Sequence, residues 1–210
     1  MVLMLVFDLF SGTGSSTQAF KDAGHTVISF ELDDSFEATE HINVFSLRSR
    51  EMITKYGQPD FVWASPPCTA FSVASIGHHW KGDAKSKEPK TEQAKLSQDL
   101  VAHTLQLIKE LNPRGWIMEN PRGILRKLNV VQGYPLHTVT YCTYGDTRMK
   151  PTDLWGVVPG WTPRPACKNG MPCHEAAPRG ARTGTQGIVG AKERSRIPYA
   201  LGEELLKAML

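Results

Sequence analysis

Residues 3–17 read LMLVFDLFSGTGSST, and the fold is decided there. Leu3–Leu9 is a near-continuous apolar run, far short of the ~20 residues of a membrane span and suited to a strand buried on both faces. It runs into Ser11–Gly14, where Gly12 and Gly14 let the backbone turn sharply and lie close to a ligand that a Cβ would block. Ser15 or Ser16 can cap a helix over Thr17–Ala23, which Gly24 stops. Strand, glycine turn and helix in this order suit a nucleotide-like cofactor. The third glycine of a dinucleotide fingerprint is missing, which argues against a nicotinamide.

Outward from this unit, strand and helix signals alternate. Thr26–Glu31 (TVISFE) reads as a second strand and His41–Phe45 as a short third. Ser46 can cap a helix through Tyr56 that ends at Gly57. Asp60–Ala64 is a further strand, ending abruptly at Ser65-Pro66-Pro67-Cys68. Thr91–Leu111 is a long amphipathic helix whose pattern puts Leu96, Leu100, Leu107 and Leu111 on the buried face, with Asn112-Pro113 closing it. Gly115–Met118, Leu136–Cys142 and Asp153–Val158 are strand-like, and Pro198 can start a closing helix over Tyr199–Leu210. Repeated strand–helix units imply an α/β fold: a Rossmann-like, doubly wound, mostly parallel sheet with its chemistry on loops at the carboxyl ends of the strands. Ala74–Lys90, polar and lysine-rich, is expected to be a mobile loop. Pro159–Arg196 is expected to be an irregular excursion at the edge of the domain.

Composition agrees with one globular domain: 210 residues, 40% hydrophobic and 21% charged. The net charge of +3 is uneven, because Pro151–Pro198 holds seven Lys/Arg against three Asp/Glu, which suits a polyanionic partner. The opening MVLMLVF lacks the basic region of a secretory signal. Four scattered cysteines make no disulfide scaffold, so a reducing compartment, the cytoplasm, is expected. Cys167-x5-Cys173-His174 is not a common zinc spacing, and Cys142 lies far off in sequence; the sequence alone assigns no metal.

Three further features carry chemistry. In SPPC (Ser65–Cys68) two prolines fix the backbone before a thiol, and a cation-rich loop just after it would lower the thiol's pKa. ENP (Glu119–Pro121) closes the next strand with a carboxylate that can exchange protons opposite Cys68. Arg148 and Lys150, in DTRMK, are cations that suit a pyrimidine carbonyl or a phosphate. Phe10 suits stacking on an adenine ring, and Glu31, closing the second strand, suits ribose hydroxyls.

The order DLFSGTG, Glu31, PPCTAFS, ENP and RMK resembles the C5-cytosine DNA methyltransferases, over roughly the first 150 residues and a closing segment near Ser195–Leu201. The resemblance implies S-adenosylmethionine as methyl donor, held by Asp8, Phe10, Ser11, Gly12, Thr13, Gly14, Glu31, Leu32, Asn43, Pro66 and Ser195. It implies Cys68 as nucleophile and Glu119 as the group on the cytosine ring edge, with Arg148 or Lys150 near the base carbonyl. Double-stranded DNA is the implied partner, with the cytosine flipped out of the duplex, and a monomer is expected. Residues 1–158 would then be the catalytic core, 159–194 a shortened target-recognition segment, and 195–210 a helix returning to the core. Lys81, Lys85, Lys87 and Lys90 would meet phosphates as their loop closes. Three alternatives stay open on sequence alone: a tRNA cytosine methyltransferase, an amino-methyltransferase using Ser65-Pro66-Pro67, and a catalytically silent nucleic-acid-binding relative.

Overall fold

A computed structural model describes residues 2–82, 87–176 and 190–210. Its strands in chain order are β1 (Leu5–Leu9), β2 (Thr26–Glu31), β3 (Glu40–His41), β4 (Phe61–Ala64), β5 (Trp80–Lys81), β6 (Glu88–Pro89), β7 (Gly115–Pro121), β8 (Leu136–Thr140) and β9 (Pro151–Val157). The helices are α1 (Gln18–Asp22), α2 (Ser49–Tyr56), α3 (Ile76–His79), α4 (Glu92–Leu111), α5 (Ala191–Ser195) and α6 (Tyr199–Met209). Seven strands form one sheet in the order β3-β2-β1-β4-β7-β9-β8. It is parallel from β3 to β7, and β9 runs antiparallel to both β7 and β8.

Burial explains why the strands read as apolar runs. Val6, Phe7 and Leu9 of β1 and all four residues of β4 are buried, and alternate side chains feed two separate cores. On one face Phe7, Val62 and Met118 pack with Met52 of α2 and Val101, Leu105 and Ile108 of α4. On the other Val6, Trp63 and Ile117 pack with Phe20 of α1 and Leu201 and Leu205 of α6. Phe20 stacks on Phe61 with ring centroids 5.1 Å apart. The strand order reverses between β1 and β4, and the loops leaving these two strands diverge there to open a crevice.

Several expectations change in detail. α4 is present, capped by the Thr91 hydroxyl on the Ala94 amide and ended by Asn112 in the left-handed conformation. Of the four leucines expected inside, Leu107 and Leu111 are buried and Leu100 packs partly buried against the same core, whereas Leu96 is 54% exposed. In the first turns Ala94 and Ser97 take the inward positions instead. The segment expected to be a mobile loop holds α3 and the β5–β6 hairpin, anchored by buried Trp80, whose indole donates to the Ala70 carbonyl at 2.6 Å. Ser15 and Ser16 do not cap α1, whose N-cap is Thr17 with no side-chain bond to the helix. The third strand shrinks to Glu40–His41, followed by a single 3-10 turn over Val44–Ser46.

Candidate active site

β4 cannot continue past Ser65. The Ser65 amide still bonds to the Leu9 carbonyl (3.1 Å), but Pro66 and Pro67 have no N–H for the ladder, so the chain leaves the sheet. The register Ala64↔Met118 brings this exit alongside Glu119 and Asn120 of β7. Asn120, fully buried, donates from Nδ2 to the Pro66 carbonyl at 2.8 Å and so ties the two strand-end loops together. Further along, the Ile124 amide donates to the Phe71 carbonyl at 2.9 Å. Gly123 is required there: a Cβ would lie 2.2 Å from that carbonyl oxygen.

These loops and the turn after β1 enclose one cavity of about 940 Å³. Phe10, Ser11, Gly12 and Thr13 line it from β1, Ser65–Thr69 from β4, and Glu119, Pro121 and Arg122 from β7. Lys150, Arg194, Ser195 and Ile197 complete the wall. That last wall is held by the returning chain. The Lys150 ammonium donates to the Arg194 carbonyl (2.9 Å), the Arg148 guanidinium to the Glu193 carbonyl (3.0 Å), and the Ile197 amide to the Ser15 hydroxyl (2.9 Å).

Cys68 and Glu119 therefore face the same space, and the thiol feels the carboxylate. Burial, then the Glu119 charge, push the Cys68 thiol above its ordinary pKa, against an opposing pull from Lys150. The expected cation-lowered thiol is not what the structure gives, because burial outweighs the nearby positive charge. Glu119 is itself raised, first by burial, with Lys150 and a hydrogen bond from Tyr141 acting the other way. The Tyr141 hydroxyl donates to Glu119 Oε1 at 3.2 Å, and the Lys150 ammonium sits 4.5 Å from the Tyr141 ring centre. Burial also lowers Lys150, although Glu119 supports its charge.

At the other end, Phe10 adopts φ +60, unusual for an aromatic residue and a sign that the turn is held by its surroundings. Gly12 has φ +48 with nothing within 4 Å of a would-be Cβ. The Ser11 hydroxyl, buried in this wall, has no hydrogen-bond partner among the described residues. Glu31 holds the turn from the next strand: Oε2 accepts from the Gly12 amide (2.8 Å) and Oε1 from the Leu32 and Asp33 amides (2.8 and 3.1 Å).

Not every residue singled out in the sequence reaches the cavity. Asp8 lies beneath it, accepting from Ser16 (2.9 Å) and Thr17 (2.7 Å), and burial pushes its carboxyl up to about 6. Arg148 is excluded: its guanidinium and amide engage Asp146 at 2.7 and 2.8 Å, which makes it a clamp on the returning chain. Asn43 caps its own 3-10 turn through the Phe45 amide (3.0 Å), and Leu32 is 66% exposed; neither lines the cavity, nor does Gly14. Of the loop lysines, Lys81 pairs with Glu88 (3.3 Å) and Lys87 donates to the Gly82 carbonyl (2.6 Å). Lys90 is exposed, and Lys85 lies outside the described residues. Asn120, Arg122, Tyr141 and Arg194 were not foreseen as site residues. Asn120 and Arg122 carried a signal, being part of ENP and next to it; Arg194 reaches the cavity on the returning chain, and Tyr141 acts from behind it through Glu119.

Residues 4–133 match the family described as C-5 cytosine-specific DNA methylase. Over 219 residues the chain is 31% identical to a frog virus 3 (isolate Goorha) protein named "Probable DNA (cytosine-5)-methyltransferase", covering 97% of this chain and 99% of that protein. Among solved structures, a prophage-encoded E. coli protein described as a DNA modification methyltransferase superimposes with a TM-score of 0.52 at 21% identity, covering 73% of this chain and 46% of the other. An Entamoeba histolytica methyltransferase gives a TM-score of 0.50 at 13% identity, covering 74% and 53%. The chain thus spans about half the length of these two structures, which speak for the fold alone. The family match across more than half of the chain, with a relative similar along its whole length, shows that the chain belongs to the C-5 cytosine-specific DNA methylases, enzymes whose methyl donor is S-adenosylmethionine.

Proposed function

We propose that the protein methylates C5 of a cytosine rotated out of duplex DNA, through a transient bond between Cys68 Sγ and C6 of the base. The observation that carries this is the convergence of Cys68 and Glu119, from the ends of adjacent strands, on the cavity whose far wall is the glycine turn. That turn fits the cofactor: the Ser11 hydroxyl, without a partner among the described residues, offers a hydrogen bond, Gly12 leaves open space, and Phe10 offers an aromatic surface. Thr13, Pro66 and Ser195 line the same cavity. Glu31, its oxygens already on backbone amides, keeps lone pairs for ribose hydroxyls while fixing the turn. When bound, S-adenosylmethionine supplies a methyl group on a positively charged sulfur.

The protein's own groups make C5 reactive. The Cys68 thiolate adds to C6, the C5=C6 electron pair shifts into the ring, and N3 takes a proton. Glu119, raised by burial, holds a proton for N3 and turns its other oxygen to the exocyclic amine. Lys150 lines the same wall and balances the negative charge that passes between Cys68 and the ring. As C5 takes the methyl group, N3 returns its proton to Glu119; the C5 proton then passes to water and the thiolate departs, restoring the C5=C6 double bond. A stacked cytosine cannot meet a thiol recessed in a cavity, so the base must leave the duplex, at a cost of a few kcal/mol. Ala74, at the root of the α3–β5–β6 excursion, lines the cavity, which suits that excursion to closing over the DNA. In this reading residues 1–158 form the core, and 159–194, of which 177–189 lie outside the described residues, carry target recognition.

Duplex DNA containing 5-fluorocytosine tests the proposal. With cofactor present, C5 carries fluorine in place of the departing proton, so the adduct persists as a band of protein-bound DNA on a denaturing gel. Cys68→Ala should abolish both this band and methyl transfer. Methylation surviving that substitution would refute the covalent route.

A further inference from the structure

We propose that Cys142, Cys167, Cys173 and His174 form a structural zinc site, separate from the catalytic cavity. The first is buried in the 3-10 turn that follows β8, and the other three lie on the chain leaving β9. Their ligand atoms all fall within 4.8 Å of one another. Cys167 Sγ lies 3.0 Å from Cys173 Sγ and 3.5 Å from His174 Nδ1; Cys173 Sγ lies 3.7 Å from both Cys142 Sγ and His174 Nδ1. Zinc bonds of about 2.3 Å to sulfur and about 2.0 Å to nitrogen give tetrahedral edges of roughly 3.8 Å (S···S) and 3.6 Å (S···N). Three of these separations match such edges, and Cys167 and Cys173, at 3.0 Å, need to part by about 0.8 Å to seat the ion. Three of the chain's four cysteines are gathered in this cluster, and the fourth, Cys68, lines the catalytic cavity.

The chemistry of the set selects the ion. Three thiolates and an imidazole suit a borderline-soft cation, and four protein ligands leave no open position for substrate. The site is thus structural, and none of its four residues lines the cavity. Its placement says what it holds. The Cys167 amide bonds to the Thr140 hydroxyl (2.8 Å), the Arg164 amide to the Tyr144 hydroxyl (3.0 Å) and the Glu175 amide to the Thr147 carbonyl (2.9 Å). A metal here fastens residues 164–175, which have no regular secondary structure, to the turn whose first residue, Tyr141, bonds Glu119. A segment too short and polar for a core of its own gains a fixed root on the catalytic body.

The test uses the full chain, purified under reducing conditions without chelator. Elemental analysis should find one zinc per chain. Cobalt(II) replacement should give the intense visible bands of a tetrahedral site and the near-ultraviolet absorption of cobalt–thiolate bonds. Cys173→Ser and His174→Ala should lose most of the metal, whereas Cys68→Ser should keep it all. Removing the ion with a strong chelator should raise amide exchange in residues 164–175 and leave β1, β4 and β7 protected. Wild-type chain that takes up neither zinc nor cobalt overturns the proposal, and so does a Cys167–Cys173 disulfide in the reduced, folded protein. Both outcomes are read on the wild-type chain, whether or not the variants fold.

Discussion

Replacing Glu119 by glutamine separates the role of its proton from the role of its shape. The side chain is 5% exposed, accepts from the Tyr141 hydroxyl at 3.2 Å, and is raised by burial, so the acid form is favoured where an ordinary surface glutamate would be ionised. Glutamine has the same length and can accept the Tyr141 bond, and its amide can point a donor at N3. It cannot give up a proton. Loss of a positioned general acid costs about 10²–10⁴-fold in rate, equivalent to about 3–5 kcal/mol of transition-state stabilisation. The variant should therefore bind DNA with affinity close to wild type and show kcat lowered by about 10²-fold or more. Adduct formation on 5-fluorocytosine DNA should slow by a similar factor, because the proton is needed while the thiolate adds. The fold should not suffer, since a neutral amide replaces a carboxyl that is costly to ionise in place. The assay is single-turnover transfer of labelled methyl groups to a cytosine-containing duplex, alongside a binding titration. A kcat within threefold of wild type, at unchanged affinity, would refute the role given to Glu119.

Other consequences can be checked separately. Because the Cys68 thiol is held above its ordinary value, kcat/KM should climb with pH through the alkaline range, and Lys150→Met, which removes a charge that lowers the thiol, should move the climb to higher pH; a shift to lower pH contradicts the account. Asp8, raised from 3.8 to about 6, gives stability that is fully present below pH 3.8 and lost as pH rises through about 6, a change of about 3 kcal/mol. Urea unfolding of Asp8→Asn across this window should show a shallower pH dependence than wild type, and parallel curves would refute the reasoning. Gly123→Ala places a methyl group against the Phe71 carbonyl and must push apart the loops carrying Cys68 and Glu119. A displacement of about 1 Å costs on the order of 10²-fold in rate, so activity measured well below the melting temperature should fall sharply, and an active variant of normal stability would sink the idea.

The sheet was legible because its central strands are buried on both faces: the apolar runs of β1 and β4 need no alternation to be recognised. Direction was not legible. Pro151–Val157 reads as a strand, yet nothing local says that it runs antiparallel between β7 and β8, because pairing is settled by the partners and not by the strand itself. In α4 the leucine pattern marks the inner face at Leu107 and Leu111 and fails at Leu96, because Ala94 and Ser97, which carry little apolar signal, take the inward positions of the first turns. The β5–β6 hairpin was missed because its anchor is a single tryptophan among polar residues, too weak a pattern for any periodicity to register.

For the site, legibility depended on whether a residue acts where its own strand ends. Cys68 sits in the loop that leaves β4 and Glu119 near the carboxyl end of the adjacent parallel strand β7, so the fold class alone brings them to one edge of the sheet. Arg148 and Lys150 shared one motif and were given the same prospects. An extended segment would send residues two apart to the same face. The backbone at Lys150 departs from that geometry at φ +29: the ammonium lines the cavity, and the Arg148 guanidinium turns to Asp146 and the Glu193 carbonyl. The cysteines and histidine outside the cavity show the complementary case. Cys142 follows β8 and its companions follow β9; these strands are antiparallel, so the chain leaves them at opposite ends, and the thiols meet because residues 158–166 run back to the end of β8, where the Cys167 amide bonds the Thr140 hydroxyl. Neither sequence separation nor strand pairing foretells such a meeting, which the path of an irregular segment decides.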